Sequence, residues 1–419
     1  MPLHTRILLG LLVGALAGVA GQVAFPDAAA LLWVADNIAN PVGQVFLRML
    51  FMIVIPLIFA SVTMGVASLG DLSRIGRIGG KAMGFFFCTT AIAATIGLTL
   101  MNLLGPGRRL DPEVRADLLA QYGGEATARV GGGVAFGIDT FVSIVPRNIV
   151  DSMARMDMLG LIFFSIVFGI ALTQIPKAKA EPILAVLDGT VEVVSRIIDF
   201  AMRIAPFGVA GLIFSVTVRF GADVLQSLAL YVGTVLLGLV IHLTGVVGVL
   251  ARLLAGIPYA TFFRRCRALM VTAFSTSSSN ATLPTNIRTA EDEFGVPKEI
   301  ASFVLPLGAT MNMNGTALFE GMTVLFLAQV FGLDLSIGSQ VIVVVLSVIT
   351  AIGAAGVPGG SIPLLAMILT TVGIPAEGIA LILGVDRILD MSRTVPNVMG
   401  DQLTALVVAR SEGVELRTA

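Results

Sequence analysis

The amino-acid sequence predicts an all-α membrane protein with eight transmembrane helices and two re-entrant helical hairpins. Three observations support this prediction. Of the 419 residues, 56% are hydrophobic and only 13% are charged, whereas soluble domains carry about 25% charged residues. Apolar spans of about 20 residues, the length that crosses a bilayer, recur along the whole chain. Two further apolar segments are interrupted at their centre by small residues, so that neither half is long enough to cross.

Eight long apolar spans follow one another along the chain. They lie near residues 5–25, 40–69, 78–105, 133–175, 187–217, 224–254, 297–331 and 376–410. The fourth span is broken and is expected to contain more than one helix. The first span also fits a secretory signal peptide, but the many spans that follow favour a retained first helix. Residues 26–39 are expected to form a loop.

The two interrupted segments, 258–292 and 336–372, alternate with the last two long spans. Their interruptions read FSTSSSNATLP (274–284) and IGAAGVPGGSIPLL (352–365). Two half-length helices joined by a small-residue tip form a re-entrant hairpin, which is tolerated only where it is buried or lines a cavity. Paired interrupted segments in corresponding positions indicate a transporter binding site. The alternative is a pair of ordinary helices that glycine and serine make less regular.

Lysine and arginine predict the orientation, because cytoplasmic loops carry an excess of both. The loop at 70–81 and the segment before the first hairpin are basic, whereas the loop before the second hairpin has neither residue. Both termini and the entry of the first hairpin are therefore expected on the cytoplasmic side of the inner (plasma) membrane. The second hairpin is expected to enter from outside. Residues 106–130 carry both signs of charge and are interpreted as a solvated extracellular segment.

The last span holds a dense cluster of charge, DRILDMSRTVPNVMGD. The steps from Asp386 to Asp390, Arg393, Asn397 and Asp401 are four, three, four and four residues, which places all five within about 80° of a helix surface. A charge inside the bilayer costs about 3 kcal/mol, so this stripe needs either a task or internal pairing. The alternatives to a binding site are salt bridges that only stabilise the bundle, or an interfacial helix end.

The residue types on this stripe suit an acidic amino acid and a cation. Arg393 can hold a carboxylate with two parallel hydrogen bonds, and Asp390, one turn earlier, can hold an ammonium group. Asn397 can donate to a second carboxylate. Asp401 and Asp386 are interpreted as oxygen ligands of a cation or as charge partners.

The preceding span carries a second polar group. Asn312, Thr316 and Glu320 are spaced by four residues and are expected to share a helix face. Gly315 favours a break in the predicted helix, which would free backbone carbonyls for a cation. Glu320 is a candidate proton carrier, because an acid at membrane depth is functional by default. It is otherwise a neutral core residue, or it pairs with an arginine such as Arg387.

The tip of the first hairpin reads STSSSN (275–280) at the start of a half-helix. The free N–H groups and the positive dipole end of such a half-helix suit an anionic substrate group. The alternative is a flexible tip without a ligand.

Five motifs resemble the dicarboxylate/amino acid:cation symporters, a family that includes glutamate and aspartate transporters. In chain order they are LRMLFMIVIPLIFAS (47–61), the serine-rich tip, NMNGT, AAGVPGG and DRILDMSRTVPNVMGD. The resemblance covers nearly the whole chain. It implies a homotrimer of elevator-type transporters, in which a mobile part of each protomer slides across the membrane along a fixed scaffold. The hairpins would act as inner and outer gates.

The resemblance also implies a division of the chain. Residues 1–77 would form helices 1 and 2, for scaffold and trimer contacts. Residues 78–132 would form helix 3 of the transport part and an extracellular loop. Residues 133–220 would supply scaffold helices 4 and 5. Residues 221–419 would form the transport domain, with helix 6, hairpin 1, helix 7, hairpin 2 and helix 8.

The motifs imply particular ligand contacts. The substrate would touch Ser278, Ser279, Thr316, Val357, Asp390, Arg393, Thr394 and Asn397. One Na⁺ site would use Gly308, Asn312, Asn397 and Asp401. A second would use Thr310 and Met313 with the carbonyls of Ala351, Ile352 and Ala354. A third site of the family matches Thr89, Thr90 and Asn314.

Several positions depart from the family pattern. Asn314 replaces an aspartate of the third Na⁺ site, which weakens that site. Glu320 stands where some members have glutamine and the proton-coupled eukaryotic members have glutamate. Arg387 is expected either to form a supporting pair with Asp386, replacing an arginine that some members carry in the serine tip, or to balance Glu320. Pro396 is expected to kink or unwind the last helix.

The sequence thus predicts a symporter for glutamate or aspartate, coupled to protons, Na⁺ or both, without a cofactor or a nucleic-acid partner. The nearest alternative is a C4-dicarboxylate symporter of the same family, against which Asp390 argues because that substrate has no amine. A dedicated channel would not need partners for both an amine and a carboxylate. An enzyme is not expected: Asp401 follows VMG, which lacks the first glycine of the Gly-x-Gly-Asp motif of intramembrane aspartyl proteases, and a serine protease would need a base near the serine tip, where neither His4 nor His242 lies in the sequence.

Overall fold

The computed structural model of the chain is helical throughout the part that it describes. The described residues are 3–25, 28–69, 76–111, 113–114, 116, 145–155, 158–221, 223–353 and 359–418. Every regular element among them is a helix, which confirms the predicted all-α class. Most of the expected extracellular segment 106–130 lies outside these residues, as does the tip of the second hairpin.

The helices of the first half run from the N-terminus to residue 220. They are α1 (Leu3–Ala24), α2 (Ala29–Val34), α3 (Asn40–Phe51), α4 (Val54–Leu69), α5 (Gly76–Leu104), α6 (Ile149–Ala154), α7 (Met158–Gln174) and α8 (Lys177–Phe220). A π-helical turn, Ala35–Ala39, joins α2 to α3. The expectation of a loop over 26–39 is therefore wrong from residue 29 onwards, since the apolar sequence AALLWV continues a helix without a breaker.

The helices of the second half hold the two hairpins. They are α9 (Asp223–Val240), α10 (Gly248–Leu254), α11 (Tyr259–Arg265), α12 (Arg267–Thr276), α13 (Ser279–Arg288), α14 (Lys298–Met311), α15 (Asn314–Val330), α16 (Ile337–Gly353), α17 (Ser361–Thr371) and α18 (Ile379–Ser411). A π-helical turn, Ile241–Val247, joins α9 to α10, and another, Thr289–Glu293, follows α13.

Five helical stretches of the described residues are long and apolar enough to cross a membrane. They are Thr5–Ala24, Ala29–Ala67, Arg77–Arg109, Lys177–Arg219 and Asp223–Leu254. Helix α18 has 33 residues and is therefore about 50 Å long, which exceeds the hydrocarbon thickness of about 30 Å, but its charges set it apart by composition. The predicted total of eight transmembrane helices stays a prediction.

Both interrupted segments contain one helix on each side of their small-residue stretch, as predicted for re-entrant hairpins, and the first segment also contains the short helix α11. Helices α12 and α13 have 10 residues each, about 15 Å, which is half the length needed to cross. They meet at Ser277, whose φ of 52° lies in the left-handed region. Ser278 then caps α13, because its Oγ accepts a hydrogen bond of 3.1 Å from the Ala281 N–H. Helices α16 and α17 form the second pair.

Helix α18 lies at the centre of the second half. It packs against α12, α14 and α15, and its first turns also contact α1 and α8. Buried apolar side chains form one cluster that includes Leu389 and a second that includes Val398. The polar stripe of α18 therefore crosses from one apolar cluster to the other.

The C-terminal end of α18 is tied to the start of α5. Glu412 follows α18 and pairs with Arg77, and its Oε1 accepts a hydrogen bond of 2.7 Å from Lys81 Nζ. Hydrogen bonds from Arg77 and Lys81 hold the pKa of the Glu412 carboxyl below its usual range. These contacts connect the C-terminal end of α18 to the first turns of α5, on both sides of the boundary at residue 77 that the resemblance implies.

Candidate functional site

The stripe predicted on the last span is a continuous buried face of α18. Asp386, Asp390, Arg393, Asn397 and Asp401 are all buried, and the helix continues without interruption from Ile379 to Ser411. Pro396 therefore does not unwind this helix, and the alternative expectation, a kink at Pro396, stays a prediction. Proline removes one N–H and the hydrogen bond it would make, and the packing on both sides of α18 keeps the helix intact.

Arg393 is buried, with only 2% of its surface exposed, and three neighbouring side chains hold its guanidinium group. Its Nη2 donates to Asp390 Oδ1 at 2.7 Å and its Nη1 donates to Asp386 Oδ1 at 3.1 Å. The guanidinium carbon lies 4.2 Å from the centre of the Phe319 ring. A desolvated cation over an aromatic ring gains about 2 kcal/mol. The guanidinium is thus fixed in position before any substrate arrives.

Asp390 has partners on both carboxylate oxygens. Besides the bond from Arg393, its Oδ2 accepts a hydrogen bond of 3.2 Å from the Gly359 N–H and one of 3.3 Å from Arg387 Nη1. Asp386 and Arg387 therefore do not pair with each other. Each pairs with one of the two residues proposed to recognise substrate, so the expectation of a supporting Asp386–Arg387 pair is wrong.

Asn397 joins α18 to the start of α15. Its Oδ1 accepts hydrogen bonds from the N–H groups of Gly315 at 2.7 Å and Thr316 at 3.3 Å. Its Nδ2 donates to Thr316 Oγ1 at 3.2 Å. The first N–H groups of a helix have no hydrogen-bond acceptor within that helix. The side chain of Asn397 on α18 supplies this acceptor for the start of α15.

The predicted break in the seventh span is present but begins earlier than Gly315. Helix α14 ends at Met311 and α15 begins at Asn314, so that Asn312 and Met313 lie between two helices. Asn312 therefore does not share a helix face with Thr316 and Glu320, contrary to the expectation from spacing. The break instead leaves the carbonyls of the last turn of α14 without helical partners.

Asn312 and Asp401 meet at this break. Asn312 Nδ2 donates to Asp401 Oδ1 at 2.9 Å, and both residues are fully buried. Among the described atoms, Asn312 Oδ1 and Asp401 Oδ2 have no hydrogen-bond partner. A Cβ added at Gly308 would lie 2.5 Å from Asp401 Oδ1, so the carboxylate lies directly against the α14 backbone. Two buried oxygens without donors suit a cation.

The residues that match the third Na⁺ site form a closed cluster. Thr90 Oγ1 lies 2.7 Å and Thr89 Oγ1 lies 3.4 Å from Asn314 Oδ1. Asn314 Nδ2 is buried without a hydrogen-bond partner among the described atoms. The structure thus brings these three residues together, and an amide nitrogen occupies a position where a carboxylate would carry its second oxygen.

Glu320 is fully buried in α15 and faces α16. Thr350 Oγ1 lies 2.7 Å from its Oε2 and also 2.9 Å from the carbonyl of Leu346. A protonated Glu320 can donate to Thr350 while that hydroxyl donates to Leu346, whereas an ionised Glu320 accepts from Thr350. Thr350 is thus a partner in either protonation state, and the hydrogen-bond partner of Glu320 is not Arg387.

Of the other predicted ligand residues, Ser279 and Thr394 lie beside the buried stripe of α18, whereas the side chain of Thr310 does not. Ser279 Oγ is 4.0 Å from Met313 Sδ, which in turn is 3.3 Å from Asn397 Nδ2. Thr394 Oγ1 donates to the Asp390 carbonyl at 2.8 Å. Thr310 is exposed and donates to the Leu307 carbonyl of its own helix, so its side chain is not in the cluster.

The second hairpin is described except for residues 354–358. Ala351 is buried, and Ile352 lies in the last turn of α16, where carbonyls lack helical partners. The predicted ligands Ala354 and Val357 lie outside the described residues.

Three residues of this site were not identified from the sequence. They are Phe319 beneath Arg393, Thr350 beside Glu320 and Gly359, whose N–H binds Asp390. The only available signal was that AAGVPGG, which contains Gly359, interrupts a helix. A threonine and a phenylalanine in apolar helices have no distinguishing spacing.

Comparison with known proteins identifies the family of the chain. A model described as the sodium:dicarboxylate symporter family matches residues 3–411. The proton/sodium-glutamate symport protein of Bacillus caldotenax is 37% identical over 408 residues, which cover 97% of this chain and 94% of the relative. The proton/glutamate-aspartate symporter of Escherichia coli (strain K12) is 38% identical over 382 residues, 91% of this chain and 86% of the relative. The C4-dicarboxylate transport protein of Bacillus subtilis (strain 168) is 32% identical over 410 residues, 97% and 92% of the two chains. The chain therefore belongs to the sodium:dicarboxylate symporter family, which confirms the resemblance carried by its five motifs.

Proposed function

We propose that this chain is a secondary active symporter that imports glutamate or aspartate together with protons, Na⁺ or both. The observation that carries the proposal is the buried pair of Arg393 and Asp390, whose Nη2–Oδ1 distance is 2.7 Å. A site for an acidic amino acid needs a partner for a carboxylate and a partner for an ammonium group, and this pair supplies both. Glutamate also appears in the names of the Bacillus caldotenax and Escherichia coli relatives.

In this proposal Arg393 binds a substrate carboxylate. Its contacts with Asp386 and Asp390 use two of the five N–H donors of a guanidinium group, and the remaining donors suit a carboxylate held by parallel bonds. Asp390 receives the ammonium group. The other proposed contacts are Ser278, Ser279, Thr316, Val357, Thr394 and Asn397.

The proposed first cation site lies at the break between α14 and α15. The buried oxygens of Asn312 and Asp401 that lack a donor support it, together with the carbonyl of Gly308 and the side chain of Asn397. Hard oxygen ligands with one carboxylate suit Na⁺ better than a soft metal. The proposed second site takes Met313, Thr310 and the carbonyls of Ala351, Ile352 and Ala354, although the exposed Thr310 side chain gives it less support.

Glu320 is the proposed proton carrier. It is fully buried, so carrying its charge across the membrane would cost about 3 kcal/mol or more, and protonation removes that cost. Thr350 provides a hydrogen-bond partner in both protonation states, as its 2.7 Å and 2.9 Å contacts allow. Proton uptake therefore requires only that the Thr350 hydroxyl turn from Glu320 to the Leu346 carbonyl.

The family also supports proposals for the whole assembly. We propose a homotrimer in the inner (plasma) membrane with both termini in the cytoplasm, in which residues 78–132 and 221–419 move as an elevator past the other two segments. The apolar helices described above and the lipid bilayer as the surrounding partner fit this arrangement.

Uptake into proteoliposomes with separately imposed gradients tests the proposal. We expect the full chain to accumulate labelled aspartate or glutamate in response to an inward proton gradient, with or without an added Na⁺ gradient. Glu320→Gln is expected to abolish the response to the proton gradient while exchange of internal for external substrate continues, because exchange requires no change of protonation.

Glu299→Gln is the matched control. Glu299 is an exposed acid in the first turn of α14, and its replacement changes the charge equally without touching the site. Uptake driven by Na⁺ alone, and equal in wild type and Glu320→Gln, would contradict proton coupling.

A C4-dicarboxylate symporter is the second candidate, and the Bacillus subtilis relative carries such a name. Asp390 argues against it as the main function, because a buried carboxylate would face a substrate without an amine. Labelled succinate uptake faster than labelled aspartate uptake would favour this candidate.

A further inference from the structure

Arg387 occupies the position that the proposed function assigns to the ammonium group of the substrate. Its Nη1 lies 3.3 Å from Asp390 Oδ2, the carboxylate oxygen that Arg393 does not use. Arg387 is part of the same helix, three residues before Asp390, so the pair forms without any other element. A cation is therefore present on Asp390 before the substrate binds.

The two arginines on Asp390 are held to different extents. Arg393 is fixed by Asp390 at 2.7 Å, Asp386 at 3.1 Å and the ring of Phe319. Arg387 makes a longer contact with a single carboxylate, and its buried Nε has no hydrogen-bond partner among the described atoms. Its side chain keeps 11% of its surface exposed, against 2% for Arg393. Arg387 is the one of the two that a ligand can displace.

A substrate ammonium group and Arg387 thus compete for one oxygen. When an amino acid binds, the ammonium replaces the Arg387 contact and Asp390 keeps two positive partners. When an acid without an amine binds, Arg387 stays in place, so that Asp390 Oδ2 keeps a cationic partner in addition to the Arg393 bond to Oδ1. Without Arg387, this buried carboxylate would have only Arg393 as a cationic partner and its charge would be less fully compensated, so Arg387 lowers the penalty for an amine-free ligand.

We propose that Arg387 is a specificity-determining residue that stands in for the substrate ammonium on Asp390 and so sets how strongly the site rejects amine-free dicarboxylates. This inference rests on the proposed function, in which Asp390 receives the ammonium and Arg393 a carboxylate. Neither the motif DRILDMSRTVPNVMGD nor the helical spacing of its residues predicts this role for Arg387.

Inhibition constants for two pairs of ligands test the inference. Aspartate and succinate differ only in the ammonium group, as do glutamate and glutarate. Each is measured against uptake of labelled aspartate by the full chain in proteoliposomes. Arg387→Gln is expected to raise the succinate-to-aspartate ratio of inhibition constants at least about 10-fold, with succinate binding more weakly and aspartate as well or better. Arg387→Lys keeps the charge and is expected to stay within about threefold of wild type.

Equal weakening of both members of a pair in Arg387→Gln would overturn the inference, because it is the result of a structural role or of binding a shared carboxylate. Arg264→Gln, an exposed arginine on α11, controls for the loss of an arginine as such.

The wild-type chain gives a second test that needs no variant. A site that binds an amine without a substitute cation rejects the analogue by about 10⁴–10⁵-fold. We expect a wild-type ratio for succinate over aspartate below about 10³, and a larger ratio would overturn the inference. Absence of any inhibition by aspartate or glutamate would instead contradict the proposed function itself.

Discussion

Asn314 differs by one side-chain atom from the aspartate that the family pattern has at this position. Its Oδ1 lies 2.7 Å from Thr90 Oγ1, and its Nδ2 is buried without a described partner. A Cβ at Gly400 would lie 2.6 Å from that nitrogen, so the amide is enclosed by backbone. An N–H group pointing into a small polar pocket repels a cation, whereas a carboxylate oxygen there would attract one.

We predict that Asn314→Asp creates an additional requirement for Na⁺. The new buried carboxylate lacks a basic partner, and a charge at membrane depth costs about 3 kcal/mol unless a cation accompanies it. Uptake of labelled aspartate at varied Na⁺ concentration should therefore show a steeper dependence than in wild type. Asn314→Leu, of similar size but without charge, should leave the Na⁺ dependence unchanged. A Na⁺ dependence that is the same in Asn314→Asp and wild type would contradict the prediction.

The residues of the site differ in how well the sequence predicts them. Asp390, Arg393 and Asn397 follow from helical spacing alone, because one continuous helix carries them. Thr350 beside Glu320 does not, because that contact joins residues 30 positions apart on two different helices. The sequence also does not determine which residue pairs with Asp386, because residues three, four or seven positions away on one helix face can all reach it.

At the scale of elements, helix α1 depends on glycine to pack along α8. A Cβ at Gly10 would lie 2.3 Å from the Pro206 carbonyl oxygen, and one at Gly14 would lie 2.4 Å from that of Ala210. Real Cβ atoms do not approach so closely, so any larger residue moves the helices apart. Without a hydrophobic force between helices in lipid, such close backbone contact supplies much of the association.

We predict that Gly14→Ala lowers the midpoint of thermal unfolding of the detergent-solubilised protein. Overpacking costs about 1–3 kcal/mol, and here the clash is with backbone that cannot turn away. Gly84→Ala on α5 is the matched control, because a Cβ there meets nothing within 4 Å, and the loss of glycine should stabilise the helix by about 0.5–1 kcal/mol. Size-exclusion after heating measures both. Equal midpoints for the two variants would contradict this account of the α1–α8 contact.

The sequence predicted the elements with a strong local signal and missed those without one. Small-residue interruptions marked both hairpins, and each is a pair of helices. The continuation of helix over Ala29–Ala39 was missed, because this stretch carries Asp36 and is bounded by proline at both ends. The break in the seventh span was expected at Gly315 but lies at Asn312 and Met313, where a side chain from α18 caps the next helix.

At the scale of the whole molecule, the proposed elevator requires α18 to slide past α1 and α8. Gly384 is at that boundary, since a Cβ there would lie 2.3 Å from Leu11 Cδ1 and 3.3 Å from Val209 Cγ1. The native cysteines, Cys88 and Cys266, are both free thiols, and replacing them with alanine gives a background for cross-linking.

In that background, we predict that a disulfide between Leu11→Cys and Gly384→Cys blocks net uptake while leaving substrate binding intact. The double change removes the Leu11 atom nearest to the new Cβ, and a disulfide forms when Cβ atoms are about 3.5–4.5 Å apart. Gly43→Cys with Leu212→Cys is the matched control: a Cβ at Gly43 would lie 2.3 Å from Leu212 Cγ, and both residues belong to the predicted scaffold. Oxidation should therefore stop uptake only in the first pair, and reduction should restore it. Uptake that continues with the first pair fully cross-linked would show that transport proceeds without sliding between α1 and α18, by local opening of the hairpins alone.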